Sequence, residues 1–286
     1  MFTYYDQILT HSFAADVKQI VEDTRFVADS TRTAEIKSWL APVDVSTNYN
    51  EARTQHHLGT GRWFLESEKY IQWKTHDKAV LWLHGIPGCG KTIMSSSVIE
   101  DLRTAGESSN RVVLYFFFDA NDSAKQSVDK MVRSLVFQLY RHVESTRKHV
   151  EQLYSSCESG REQPSTKALL DTWEMMVENM GDPYVVLDAL DECKTRSDLL
   201  QQLPRFKSGR ACLLLTSRTE EDIVSSLREW IPPSNAISIR QGPVDADIRE
   251  VVRNRIATDP KLRRFKSRPD VCTEIESRLM EKADGM

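Results

Sequence analysis

The sequence lacks the features of a secreted protein, of a membrane-spanning protein and of a protein stabilised by a zinc site. No apolar run approaches the ~20 residues that a bilayer requires, and the N-terminus MFTYYDQILTHSF has no basic, signal-type start. Cysteine is scarce, with no C-x-x-C pair and no His/Cys cluster at zinc spacing. The odd number and wide spacing of the cysteines favour a reducing compartment. These absences predict a cytoplasmic protein that does not contact a membrane, and the cysteines are Cys89, Cys157, Cys193, Cys212 and Cys272.

An excess of positive charge is also absent. Lysine and arginine number 38 against 42 acidic residues, for a net charge of −4, so nothing in the overall charge favours nucleic-acid binding. The run KLRRFKSRP contains five cations, but it separates two helical patterns, where a solvated connection is the simpler interpretation. A hydrophobic content of 40% over 286 residues provides a core for one large or two modest domains.

The most informative stretch is KAVLWLHGIPGCGKT, which ends at Thr92. It combines an apolar run, the spacing G-x-x-x-x-G-K-[ST] and a helix-compatible segment, which is the context of a phosphate-binding P-loop. Glycines let the backbone curl closely, and the exposed N–H groups at a helix N-terminus attract phosphate. Lys91 is predicted to contact the β- and γ-phosphates, and the Thr92 hydroxyl is predicted to bind Mg²⁺.

Two further motifs follow apolar runs that read as buried strands. YVVLD ends at Asp188, where a carboxylate can hold Mg²⁺ directly or through water. Asp191 and Glu192 come next, and one of them is a candidate general base, Glu192 being favoured, although both residues could instead cap the following helix. Arg218, just past the run ACLLLT, is predicted to contact the γ-phosphate or else to form a surface ion pair.

Apolar strands alternate with amphipathic helices along most of the chain, which predicts an α/β fold. We expect a three-layer P-loop NTPase core with a mostly parallel sheet, a short N-terminal helical segment and C-terminal helices. Ligands bind at the carboxyl ends of parallel strands, where all three motifs fall. The predicted division is a helical segment at 1–40, a linker or pre-core arm at 41–75, the NTPase domain at 76–258 and an incomplete helical segment at 259–286.

Within the predicted arm, Gly59 to Trp63 offers two interpretations. Two glycines beside large aromatic residues could bring the backbone close to a nucleotide base. Alternatively, Trp63 and Phe64 could only anchor the loop to the core. The sequence leaves both open.

The motifs GIPGCGKT, YFFFDANDSAKQS, MVRSLVFQL, YVVLDALDEC and LLLTSR, in this order, resemble the NACHT domain. They are most similar to fungal STAND (NLR-like) P-loop NTPases with a nephrocystin-like N-terminal domain. WLAPVDVSTNYNEARTQHHLGTGRWFLES resembles the segment that precedes the NACHT core in those proteins. The resemblance covers roughly Ile36 to the end of the chain.

The resemblance implies a signalling switch that binds ADP when closed, and that opens and self-associates with ATP. Such switches serve in self/non-self recognition or programmed cell death. It also implies protein partners bound through flanking effector, winged-helix and repeat segments. We expect this chain to lack them, because only about 35 residues precede the linker, the sequence ends at KADGM and no internal repeat is detectable. The prediction that the nucleotide is ATP rather than GTP rests on the resemblance alone.

The leading hypothesis is therefore a nucleotide switch with slow, Mg²⁺-dependent ATP hydrolysis. An arginine finger, worth about 10³–10⁵ in rate, is not evident. The alternatives are a binding module that holds nucleotide without hydrolysis and, less favoured by the net charge, a helicase-like enzyme. The candidate catalytic residues are Glu192, Asp191, Lys91 and Arg218; the candidate ATP/ADP-binding residues are Gly85, Ile86, Pro87, Gly88, Cys89, Gly90, Lys91, Thr92 and Ile93; the candidate Mg²⁺ ligands are Thr92 and Asp188.

Overall fold

The computed structural model describes residues 18, 23–56, 60–76, 79–109, 111–178, 180–208, 211–239, 241–259, 265 and 268–283. Residues 23–40 form the first helix, α1. The other helices are α2 (Ser46–Gln55), α3 (Arg62–Leu65), α4 (Glu68–Thr75), α5 (Lys91–Ser109), α6 (Val128–His142), α7 (Arg147–Ser156), α8 (Thr166–Glu178), α9 (Arg196–Ser208), α10 (Glu221–Arg228), α11 (Gln241–Thr258) and α12 (Pro269–Ala283). The strands are β1 (Val80–His84), β2 (Val113–Phe117), β3 (Tyr184–Asp188), β4 (Cys212–Ser217) and β5 (Ala236–Ser238).

All five strands pair in parallel, in the order β2-β3-β4-β1-β5. The strands β1, β3 and β4 are almost fully buried along their length, as expected for a parallel sheet with helices on both faces. The predicted α/β fold with a three-layer P-loop NTPase core is confirmed, and the sheet is parallel throughout.

Side-chain alternation along the strands divides the core into two apolar layers. One layer joins Trp82, Phe116 and Leu187 to residues of α1, α6, α8, α9 and α10. The other layer joins Leu81, Phe117 and Leu214 to residues of α2, α4 and α5. The sheet therefore lies between two helical layers, and its carboxyl edge carries the predicted motifs.

The predicted linker or pre-core arm contains a helix that its polar, turn-rich sequence did not indicate. Residues 46–55 form α2, although their Asn, Ser and Thr content is unfavourable for helices. The helix is held by tertiary contacts, since Tyr49 is buried and its ring lies 5.4 Å from that of Tyr115. The Arg103 guanidinium stacks 5.1 Å from the Tyr49 ring. Packing on β2 and α5 thus outweighs the weak local preference.

Two other stretches are more helical than their composition suggests. The helix after the P-loop runs on to Ser109, through most of the turn-forming cluster AGESSN. Residues 144–164, whose polar composition favours a solvated helix end and a loop, contain α7, whose Val150 is completely buried. Val150, Leu153 and Tyr154 recur at helical spacing and pack on the core, so the sequence did contain a signal for this helix.

The predicted N-terminal helical segment is partly described. Its end packs on the core through Ile36, Trp39 and Leu40, and the Trp39 indole donates to the Glu162 carbonyl oxygen at 2.8 Å. Most of residues 12–22, Gly59 of the aromatic turn, and most of the basic run 261–267 lie outside the described residues. In the described part of the chain, no helix is both long and apolar enough to cross a bilayer. The division into segments stays a prediction.

Candidate functional site

The P-loop turns sharply between the end of β1 at His84 and the start of α5 at Lys91. Gly88 and Gly90 adopt φ of +76° and +87°, where a side chain would be strained. Gly85 is required for a different reason, because a Cβ there would lie 2.7 Å from the Cys89 sulfur. The loop therefore needs glycine twice for conformation and once for close packing, and it ends at a helix N-terminus with free N–H groups.

Lys91 lies over this loop. Its ammonium donates to the carbonyl oxygens of Gly85 at 2.9 Å and Ile86 at 2.8 Å. A cation held against the concave side of a phosphate-binding turn is placed to meet an anion there. Ile86 and Pro87 form the exposed rim of the loop.

Asp188 is the buried centre of the site. It ends β3, whereas the P-loop follows β1, and β4 lies between these two strands. Its carboxylate nevertheless accepts a 2.7 Å hydrogen bond from the Thr92 hydroxyl. Ser95 and Thr216 also donate to it, at 2.6 and 2.7 Å. The two predicted Mg²⁺ ligands are thus in direct contact across the intervening strand.

Burial raises the pKa of Asp188, and the three hydroxyl donors and nearby Lys91 oppose this shift. The side chain is only 1% exposed. A buried carboxylate flanked by hydroxyl oxygens matches the all-oxygen ligands that Mg²⁺ prefers. The residues present therefore fit the cation that the motif predicts, and a bound cation would offset the cost of burying this charge.

Asp191 and Arg218 form a closed pair. The Asp191 carboxylate accepts both the backbone N–H of Arg218, at 2.9 Å, and its Nε, at 3.0 Å. Asp191 is 3% exposed, whereas the arginine side chain is 46% exposed. Asp191 thus anchors Arg218 at the end of β4. This contact agrees with the ion-pair interpretation of Arg218, and among the described residues no hydrogen bond of the Asp191 carboxylate caps α9.

Glu192 lies beside this pair, in a short turn that follows Ala189. Its carboxylate accepts from the Ala120 N–H at 2.7 Å. Burial raises the pKa of Glu192, the Ala120 amide opposes the shift, and the neighbouring carboxylates of Asp191, Asp119 and Asp188 raise it further. A carboxylate with a raised pKa next to a phosphate site has the character of a general base.

A cavity of about 380 Å³ opens on the other side of the P-loop. Its walls come from the P-loop, from the start of α5 including Ile93, from α11, and from the turn before α3. The Gly61 N–H donates to the Asp247 carboxylate of α11 at 2.7 Å, at the cavity wall. Trp63 lines the cavity and its buried indole N–H has no hydrogen-bond partner within the described residues, whereas Phe64 is buried in the core.

Three residues of the site were not singled out from the sequence. Ser95 lies one helical turn after Thr92, a spacing that places both on one face of α5. Thr216 bridges the site, since it donates to Asp188 and accepts from the Ala189 N–H at 2.9 Å. The sequence offered one signal for Thr216, namely its place at the end of the apolar run just before Arg218. Asp247 had none, because its contact with Gly61 spans 186 positions.

A glycine-rich loop between a strand and a helix, facing a strand-end carboxylate on a parallel sheet, defines the P-loop NTPase-like class of nucleotide-binding folds. The family model described as nephrocystin 3, N-terminal, matches residues 59–218, more than half of the chain. The chain belongs to this family, and the NACHT-type resemblance of the sequence is confirmed.

A curated relative is similar over more than half of the chain. The vegetative incompatibility protein HET-E-1 of Podospora anserina is 30% identical over 175 residues, which cover 59% of this chain and 12% of that protein. The chain therefore spans only a small part of the relative's length.

Proposed function

We propose that this chain is the nucleotide-operated core of a STAND-type switch, which binds ATP or ADP with Mg²⁺ and hydrolyses ATP slowly. The contact between Thr92 and Asp188 carries the proposal. It brings the two ligand residues expected of a P-loop and a Walker B strand within 2.7 Å of each other across an intervening strand. Ordinary structural packing does not require that arrangement.

Each group in the site has a defined task. The P-loop amides and Lys91 bind the β- and γ-phosphates, and Thr92 and Asp188 hold Mg²⁺, which neutralises phosphate charge when bound. Glu192 orients or deprotonates the attacking water. Arg218, fixed by Asp191, approaches the γ-phosphate. The cavity lined by Trp63 and Ile93 binds the nucleotide base. The family resemblance supports ATP rather than GTP as the nucleotide.

A first experiment tests nucleotide binding. Chain purified without added nucleotide is denatured, and the released small molecules are identified by chromatography. We expect ADP close to one equivalent from the wild-type chain and none from Lys91→Ala. In addition, Mg-ATP at about 100-fold above its Kd should stabilise the wild-type chain by about 2.7 kcal/mol. Lys148→Ala, at an exposed cation of α7, is the matched control. No release and no thermal shift would refute the proposal.

A second experiment separates the switch from a module that only binds nucleotide. Glu192 is already engaged by the Ala120 amide, which gives the non-hydrolysing alternative a structural basis. Glu192→Gln retains the size and the hydrogen bond but removes the base. A slow wild-type turnover that this change abolishes, with unchanged ADP affinity, supports hydrolysis. No phosphate release above background from either chain would favour the binding module, and equal release above background would exclude Glu192 as the base.

The biological setting is proposed from the relative. HET-E-1 is described as a vegetative incompatibility protein, and we propose that this chain serves a related self/non-self response within a larger assembly. We also propose that ATP promotes self-association and that further proteins bind through flanking segments. Light scattering with Mg-ADP and Mg-ATP tests self-association, and an unchanged molecular mass in ATP would contradict it.

A further inference from the structure

The strand β5 ends the sheet with an open side. It is three residues long, partly exposed throughout, and pairs with β1 alone among the strands that the structure describes. The Ile239 N–H donates to the His84 carbonyl oxygen at 2.8 Å. Because alternate residues of a strand face opposite neighbours, Ile237 also faces β1. Ala236 and Ser238 therefore direct their backbone N–H and C=O groups away from the sheet, where no strand among the described residues pairs with them.

Cavities lie on both faces of the sheet at this edge. A cavity of about 470 Å³ has apolar walls from Trp82, Val224 and Ile231. A second cavity of about 460 Å³ lies on the opposite face, beside Trp73 and Leu81, with a more polar lining. Successive side chains of a strand point to opposite faces. A strand added to β5 would therefore direct alternate side chains toward the two cavities.

Two cations at this edge have no ion-pair partner among the described residues, although Glu68 also lines the more polar cavity. Lys69 of α4 lines both cavities, and Arg228 of α10 lines the apolar one. Both side chains are exposed, and neither has an ion pair with a described residue. Since α4 and α10 pack on opposite faces of the sheet, the two cations flank the open edge from both sides. They complement a segment that carries carboxylates.

We propose that the β5 edge binds an extended peptide segment of a partner protein in which apolar and acidic residues alternate. The peptide pairs with the outward groups of Ala236 and Ser238 as an additional strand. One apolar side chain enters the cavity beside Trp82, and its acidic neighbours, which point to the opposite face, meet Lys69. Arg228, at the apolar cavity, adds to the positive charge that attracts the acidic segment. This interaction surface is separate from the nucleotide site and goes beyond the proposed switch function.

The probe is a short fluorescein-labelled peptide in which valine and glutamate alternate, titrated into the full chain by fluorescence anisotropy. We expect saturable binding to the wild-type chain. The double variant Lys69→Glu/Arg228→Glu should weaken it at least about tenfold, which corresponds to ~1.4 kcal/mol. The matched control Lys148→Glu/Arg161→Glu makes the same change in net charge at exposed cations away from this edge, and it should retain full affinity.

Two variants test backbone pairing separately from charge. Ser238→Pro removes an outward N–H without touching Lys69 or Arg228, and an edge strand tolerates proline there. It should weaken binding, as should a central proline in the peptide. Circular dichroism and the melting temperature establish that each variant is folded. Equal binding of the proline-containing peptide would overturn strand addition in favour of a plain anion site. Absence of binding, equal loss in the control pair, or equal affinity for a valine–lysine peptide would overturn the proposal altogether.

Discussion

At the scale of single residues, the site is organised by one buried carboxylate. Asp188 receives three hydroxyl donors, from Thr92, Ser95 and Thr216, but no cationic side chain is in contact with it within the described residues. Hydroxyl groups stabilise a carboxylate less than an ion does. The nucleotide-free chain therefore bears a desolvation cost that a bound cation would relieve.

This cost predicts how stability depends on pH. The pKa of Asp188 is higher in the folded chain than in the unfolded chain. At a pH between these two values, the folded chain therefore binds more protons than the unfolded chain. The free energy of unfolding contributed by this group then falls as pH rises through that window. Without nucleotide, Asp188→Asn should raise the melting temperature at pH 8, and the difference should shrink as pH falls.

The same variant should lose the stabilisation by Mg-ATP. Differential scanning fluorimetry across the pH range, with and without Mg-ATP, measures both effects. A variant that melts below the wild-type chain at every pH would mean that the three hydrogen bonds outweigh the desolvation cost.

Thr216 predicts a second effect at this scale. Thr216→Val keeps the shape but removes the hydroxyl, leaving the buried Ala189 N–H without its acceptor. We expect a loss of about 1–3 kcal/mol in the free energy of unfolding, together with weaker Mg-ADP binding. Urea denaturation and calorimetric titration measure these, and Thr216→Ser, which retains the hydroxyl, is the control. If valine and serine behaved alike, the bridge would have no energetic role.

At the scale of secondary-structure elements, the sequence predicted β3 with the same bounds, Tyr184–Asp188, as the structure. Its continuous apolar run reflects burial on both faces. The prediction failed where helices depend on few contacts. In α2 the buried positions are Tyr49 and Ala52, so no periodic pattern marks this helix, and distant partners stabilise it. In α7 the pattern of Val150, Leu153 and Tyr154 is present, but the polar residues around it favoured a loop.

Helix α2 can therefore be tested through its aromatic anchor. Tyr49→Ala should destabilise the chain by about 3 kcal/mol, because it opens a cavity against Tyr115 and removes the stacking with Arg103. Tyr49→Phe is the control, since no hydrogen bond of the Tyr49 hydroxyl occurs among the described residues. Chemical denaturation measures both variants. A small effect of alanine would mean that α2 is held elsewhere.

At the scale of the whole molecule, the strand order and the contacts between distant residues could not be predicted from the sequence. The motifs predicted that the site residues lie at one edge of the sheet, but they did not predict that β4 separates β1 from β3. They also gave no hint that Asp247 of α11 bonds to Gly61. Such contacts join residues whose separation along the chain leaves no local pattern. The site residues themselves remain predictions until binding is measured.

The Asp247 contact connects the helical pair at the end of the chain to the proposed base cavity. Arg253 of α11 holds Glu276 of α12 through two 2.9 Å hydrogen bonds, so α12 is linked to α11. We expect Mg-ADP to slow tryptic cleavage within 249–278, and Asp247→Ala to remove much of this protection while leaving phosphate binding in place. Time-resolved mass spectrometry of the fragments measures it, with Glu250→Ala, at an exposed position of α11, as the control. Equal cleavage rates with and without Mg-ADP would contradict the coupling.

The position of β4 also has a consequence for synthesis on the ribosome. The P-loop and Asp188 both emerge before β4, the strand that must lie between β1 and β3 and that ends at Ser217. A nascent chain that has exposed only Asp188 cannot yet complete this sheet, although both ligand residues are already outside. Capture of a nucleotide during translation must therefore wait for β4, and a chain stalled before that strand would offer chaperones a broad apolar surface where the nucleotide site will later form.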